Sequence, residues 1–106
     1  MNEFIVCSAI WYKDISLINN NIPSDLLRPF NCDRGIVFCG LRHPHCLYQM
    51  VAMTGKRQCE AGEEIQGFIT NKWRFIDRIE GLEIAKVADQ IITSYNLHQL
   101  HSEDLW

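Results

Sequence analysis

A chain of 106 residues that is 47% hydrophobic and 22% charged, with three prolines, has the make-up of one small globular domain spanning residues 1–106 and leaves no room for a second. Ten Lys and Arg against thirteen Asp and Glu give a formal charge of −3, which argues against the broad cationic footprint that grips a long nucleic acid. No apolar stretch approaches the roughly 18–20 residues of a membrane helix, so no membrane partner is expected.

Phe4 to Tyr12 is rich in β-branched and aromatic residues and stops at Lys13-Asp14, which predicts a first strand ending in a polar turn. Pleat alternation sends one of Trp11 and Tyr12 to the core and the other outward or to an interface. Residues 19–35 carry Asn19-Asn20-Asn21, Pro23, Pro29 and Asn31 with little periodicity, so a long connection is expected there, with Leu26 and Leu27 docked inward. Gly35 opens a second strand over Ile36–Cys39, an unbroken apolar run that predicts burial on both faces or at a subunit contact. Gly40 ends it. Pro44 suits the first position of a helix, with Leu47, Met50, Val51 and Thr54 at helical spacing and Gly55 as terminator.

Residues 56–64 read as a polar loop. Ile65–Thr70 and Trp73–Ile76, joined by Asn71-Lys72, read as a hairpin with a two-residue turn. Asp77 is placed as an N-cap with Glu80 three residues on, and Leu82, Ala85, Ala88 and Ile91 or Ile92 form the apolar face of a second helix. The tail 98–106 is too short to assign. Cys7, Cys32, Cys39, Cys46 and Cys59 are odd in number with no Cys-x-x-Cys pair, and Met1 to Phe4 carries no positive side chain. No secretory leader is expected, and the thiols are read as reduced, in a cytosol.

Two constellations carry chemistry. Arg42-His43-Pro44-His45-Cys46 sits at the start of the first helix, where free amides and the dipole favour an anion. The plainer alternative has His43 capping the helix, His45 and Cys46 packed, and Arg42 paired with a carboxylate. Zinc on Cys39, His43, His45 and Cys46 is disfavoured, because the four lie within eight residues and no second cluster completes the set. Lys72-Trp73-Arg74-Phe75 with Arg78 alternates cations and aromatics, so arginines meet phosphate while a ring stacks on a base. The alternative puts Trp73 and Phe75 on one core face, Arg74 in solvent, and Arg78 against Glu80 or Asp77. Ser102 and Asp104 either belong to a solvated tail or accept hydroxyls from a ribose.

Between Arg28 and Arg78 there are eight basic and five acidic residues, whereas the remainder holds two basic and eight acidic. A compact polyanion suits that cationic middle better than a long nucleic acid does. Enzymatic signatures are missing: there is no Gly-x-Ser-x-Gly, no phosphate-binding Gly-rich loop and no His-Glu-x-x-His. A Cys46 or Cys39 nucleophile beside a histidine is unspecific, and binding without turnover is the simpler expectation, with no cofactor.

Ala9-Ile10-Trp11-Tyr12, Gly35-Ile36-Val37-Phe38-Cys39-Gly40 with Arg42-His43-x-His45-Cys46, the run Gly67 to Arg78, and the ending Leu100-x-Ser102-Glu103-Asp104-Leu105-Trp106 together resemble, in order, the small phage proteins of the type 1 Thoeris anti-defence family. The resemblance implies an α+β fold with a small antiparallel sheet packed with two helices. It also implies a homo-oligomer, dimer or hexamer, that sequesters cyclic ADP-ribose isomers in the host cytoplasm without cleaving them; some members also hold the cyclic oligonucleotides of CBASS defence. Such a ligand needs an aromatic platform, hydroxyl partners and cations. Trp11 or Phe75, Ser102 or Asp104, and Arg42 with His43, Arg74 or Arg78 are the candidates, at a subunit interface. A cyclic-nucleotide hydrolase and a small protein-binding inhibitor of a host enzyme are the alternatives.

Overall fold

Alternation along the first apolar run is what the pleat of a strand uses, and in the computed structural model, which describes residues 2–16, 23, 28–93 and 97–106, it forms β1 (Ile5–Tyr12). Then follow β2 (Ile36–Gly40), α1 (His43–Thr54), β3 (Glu64–Thr70), β4 (Phe75–Asp77) and α2 (Arg78–Val87), with short 3-10 turns at Gln58–Glu60 and Ser102–Asp104. The strands form one antiparallel sheet in the order β2-β1-β3-β4, and with two helices packed on it the fold is α+β. No helix among the described residues is long and apolar enough to cross a membrane.

Cross-strand pairing sorts the side chains by face. Ser8 lies opposite Gly40 and Phe68, Phe68 opposite Ile76, and Ile10 opposite Phe38 and Gln66; these share the face that the helices cover. A bulge at the start of β1 sets Ile5 opposite Thr70 and Cys7 opposite Ile69, so Ile5 turns onto the helix face while Cys7 stays on the other. Ile5, Phe68, Ile76, Leu82, Ala85, Leu100 and Leu105 make the core beneath α2, and Ile10, Tyr12, Phe38, Cys46 and Met50 the core beneath α1. Fully burying each large apolar side chain stabilises the fold by about 1.5–3 kcal/mol. Tyr12 is therefore the inward residue of the Trp11-Tyr12 pair, and Trp11 lies half-buried on the opposite face with Ala9, Ile69 and Phe75.

Several expectations need correction. β2 is an edge strand, and only Phe38 in it is buried, so the run is not covered on both faces. In α1 the buried stripe is His43, Cys46 and Met50, while Val51 is exposed; the helix is rotated because a histidine and a cysteine fill core positions. Gly55 does close α1, in the left-handed region at φ 73°, its N–H donating to the Val51 carbonyl at 2.9 Å. The β3–β4 link, residues 71–74, is four residues long. Trp73 N–H donates to the Thr70 carbonyl at 3.1 Å, and Trp73 takes the left-handed position at φ 56°, 40% exposed, so it neither joins β4 nor shares a core face with Phe75. The favoured two-residue turns need positive φ at one or both centres, which Asn71-Lys72 suits poorly without glycine.

α2 ends at Val87, short of Ile91. Asp89 adopts φ 57°, its N–H donates to Lys86 O at 3.2 Å, and Gln90 N–H donates to Ala85 O at 2.9 Å, a Schellman ending with Asp where glycine is usual. Ile91 is buried from beyond the helix, and Ile92 is exposed. The loop expected over 56–64 contains the Gln58–Glu60 turn and yields Glu64 to β3. Leu26 and Leu27 lie outside the described residues.

Candidate functional site

The start of α1, the start of α2 and the Ser102–Asp104 turn converge on the helix-covered face and enclose an open cleft of about 410 Å³. Its walls include His43, Tyr48, Gln66, Arg78, His101 and Glu103. Arg78 stands in its wall. Nη1 donates to the Leu100 carbonyl at 2.8 Å, and Nη2 donates to Gln66 Oε1 at 2.6 Å and faces His43 Nδ1 at 3.4 Å. All three partners are neutral, and among the described residues the guanidinium makes no ion pair. Burial pulls its pKa down, opposed by the more distant charges of Glu103 and Asp104. A half-buried cation without a carboxylate in contact is costly by itself and stands ready for an anion.

His43 is 6% exposed and packs edge-on against Phe68 at 5.3 Å between ring centroids. Nε2 lies 2.8 Å from the Gly67 carbonyl, which only accepts; the ring proton therefore sits on Nε2, and Nδ1 offers its lone pair to Arg78. Burial lowers the His43 pKa and keeps the imidazole neutral, outweighing the Gly67 bond. Capping falls to His45 rather than His43: His45 Nδ1 accepts the Arg42 N–H at 3.1 Å. Arg42 itself reaches the tail, donating from Nη2 to the Trp106 backbone oxygen, with Nη1 3.9 Å from Glu103.

Ser102 is buried in the turn, and its carbonyl accepts Leu105 N–H at 3.1 Å and Trp106 N–H at 3.2 Å. Asp104 is structural in this arrangement, accepting Thr93 Oγ1 at 2.6 Å and the His101 N–H at 2.9 Å. Thus His43, Arg78 and Ser102 line one cleft, Arg42 stands beside it through Glu103, and Asp104, bonded to Thr93 and His101, is not among its walls. The other three candidates lie elsewhere. Trp11 and Phe75 meet edge-to-face at 5.8 Å on the opposite side of the sheet, where Trp11 Nε1 donates to the Arg34 carbonyl at 2.7 Å.

Arg74 is half-buried rather than solvated, and its three guanidinium nitrogens all donate to carboxylates: Nε and Nη2 to Glu3 at 2.9 Å each, Nη1 to Glu80 at 2.7 Å. Glu80 is thus Arg74's partner and not Arg78's. Nor does α2 offer free amides at its start, since Asp77 Oδ1 accepts Ile79 N–H at 3.0 Å and Glu80 N–H at 2.8 Å.

Sequence reasoning missed Tyr48, Gln66, His101 and Glu103. Tyr48 had a signal: it stands one helical turn after Pro44, and at 70% exposure it presents its ring on the cleft rim. Gln66 had none, because only tertiary packing brings it to Arg78. Among the described residues no group of three His, Cys, Asp or Glu is placed to hold a metal ion. Neither of the two thiols offered as a nucleophile is poised for that role: burial pushes Cys46 up to about 11, and contact with the Cys7 thiol, then burial, raises Cys39.

A family model described as phage T4 y16D protein matches residues 4–106. No curated protein and no solved structure matches the chain.

Proposed function

The chain belongs to the phage T4 y16D protein family, and we propose that it binds a small anionic cyclic nucleotide, of the cyclic ADP-ribose class or a related cyclic oligonucleotide, and holds it unaltered. The observation that carries this reading is Arg78, a half-buried guanidinium in the wall of an open cleft whose partners among the described residues are all neutral. A phosphate there gains a charge-assisted contact and neutralises a cation that makes no ion pair among the described residues. Tyr48 supplies a ring face for a base on the same rim. The cleft's volume of about 410 Å³ falls within the range of small-molecule sites.

The state of His43 supports holding rather than cleaving. The buried imidazole has both nitrogens committed, one to Gly67 and one to Arg78, so it serves as an acceptor and not as a base. Capture without turnover acts by mass action: a tight binder in excess of its signal draws the free concentration below the threshold of the protein that responds to it. In this account the protein acts inside the infected cell, and a homo-oligomer closes the open side of the cleft over Tyr48.

The test is retention. The protein is incubated with a cyclic ADP-ribose isomer, freed of unbound ligand by gel filtration, then heated, and the released molecule is analysed by mass spectrometry. Intact ligand supports capture. A cleaved product overturns it in favour of a hydrolase, and no retention overturns it in favour of a protein partner.

A further inference from the structure

Gln66 presents an amide whose orientation is settled. Its side chain leaves β3 on the helix-covered face, opposite Ile10, and stands in the wall of the cleft beside Arg78. A guanidinium only donates, so the amide turns its oxygen toward it, and Oε1 accepts Arg78 Nη2 at 2.6 Å. That leaves Nε2, which only donates. No acceptor meets it among the described residues, and it is not one of the buried side-chain atoms left without a partner, so it opens to solvent. Arg78 is in the same state. Of its five N–H groups, three face Leu100 O, Gln66 Oε1 and His43 Nδ1; the Nε–H and the second Nη1–H meet no acceptor among the described residues.

We propose that Gln66 is a second ligand contact of this cleft, its Nε2 donating to an oxygen of the same phosphate that Arg78 binds. The proposal rests on the nucleotide-binding reading above and adds a specificity-determining residue to it. Two neighbouring groups, hydrogen-bonded to each other, have only donors to spare, and the group that answers them accepts at adjacent atoms and donates at none. Phosphate oxygens do so, whereas an exocyclic base amine meets them donor against donor. The amide also accounts for the charge that Arg78 keeps. A carboxylate at position 66 would make the stronger, charge-assisted bond and hold the guanidinium as well, but would neutralise it against any anion. An amide keeps the hydrogen bond and leaves the charge to the ligand. The base then lies outward, toward Tyr48.

Nuclear magnetic resonance of the Gln66 side-chain amide tests this, with its two protons assigned through the Gln66 side-chain carbons. On saturation with a cyclic ADP-ribose isomer one Gln66 amide proton moves downfield, and inorganic pyrophosphate, which has no base, moves the same proton. A residue that only holds Arg78 in place shows no such response. Gln66→Met, which keeps the length of the side chain without its donor, binds the cyclic isomer at least about tenfold more weakly, its folding checked by thermal melt. The native spectrum decides alone if that variant does not fold. A Gln66 amide that stays in place while the cyclic isomer binds overturns the proposal, as does one that pyrophosphate leaves unmoved, or a folded Gln66→Met that binds as the native protein does. If one of these occurs while Arg78→Met still weakens binding, the Gln66 contact falls and the nucleotide-binding reading stands. If the native protein binds no cyclic isomer, both fall.

Discussion

Replacing Glu3 with glutamine tests whether Arg74 is spent on structure. The Glu3 carboxylate accepts Arg74 Nε and Nη2, both at 2.9 Å, and Thr70 Oγ1 at 2.7 Å, in a bidentate geometry. Hydrogen bonding to Arg74 holds the carboxyl down at about 2, against an ordinary 4.5. A displacement of about 2.5 units corresponds to an upper bound of roughly 3.4 kcal/mol. Side chains of Glu3 and Arg74 are 17% and 27% exposed, between the exposed pairs worth about 0.2–1 kcal/mol and the buried ones that cost about 3–5 to break. Glu80 also remains to pair with Arg74, so Glu3→Gln should cost about 2 kcal/mol at pH 7.

The pH dependence fixes the cause. Because the folded pKa lies below the unfolded one, the unfolded state binds more protons between pH 4.5 and 2. The stabilisation is complete above about pH 4.5 and drains away as pH falls toward 2. Glutamine does not titrate, so urea unfolding should show the gap between native and variant shrinking by about half at pH 3. A gap that is absent at pH 7, or unchanged from pH 7 to 3, refutes the reasoning. Either result would return Arg74 to the set of candidate ligand contacts.

Asp77→Ala removes the cap from Ile79 and Glu80 and should lower stability by about 1 kcal/mol in chemical denaturation, with a loss of helical signal. Asp89→Gly relieves a left-handed residue at the end of α2 and should stabilise by about 0.5–1 kcal/mol, read as a raised melting temperature. Gly67→Ala places a Cβ 1.9 Å from the Ile76 carbonyl oxygen, so β3 and β4 must separate; the variant should lose more than about 3 kcal/mol or fail to fold, seen in its soluble yield and thermal melt.

Legibility in the sequence depended on whether a signal was local. β1, β2 and the α1 stop at Gly55 were readable because a β-rich run, a glycine-flanked apolar segment and a left-handed glycine each act within a few residues. The cap at Asp77 was readable for the same reason. The end of α2 was not, since Asp89 occupies a position where glycine is the recognisable mark and the apolar spacing runs on to Ile91. The rotation of α1 was hidden because His43 counts as polar in any pattern, yet the Gly67 carbonyl satisfies it in the core.

At the site, both arginine-bearing segments were found, but their partners were not. Arg74 and Arg78 are four residues apart and looked equivalent. Glu3, far away in sequence, neutralises one, while Leu100, Gln66 and His43 surround the other with neutral groups. The Trp11 and Phe75 platform proved to be a contact on the far face of the sheet, because the strand parity of Trp11 could not be fixed before the pairing with β2 and β3 was known.

The central claim is that Arg78 anchors a captured nucleotide. Titration calorimetry of a cyclic ADP-ribose isomer into the native protein, Arg78→Met and Arg74→Met, with folding of each checked by its thermal melt, tests it most directly. Loss of one charged contact of about 1.5–3 kcal/mol should weaken Arg78→Met by about ten- to hundredfold, while Arg74→Met binds as the native protein does. No binding by the native protein, or undiminished binding by a folded Arg78→Met, would contradict the account.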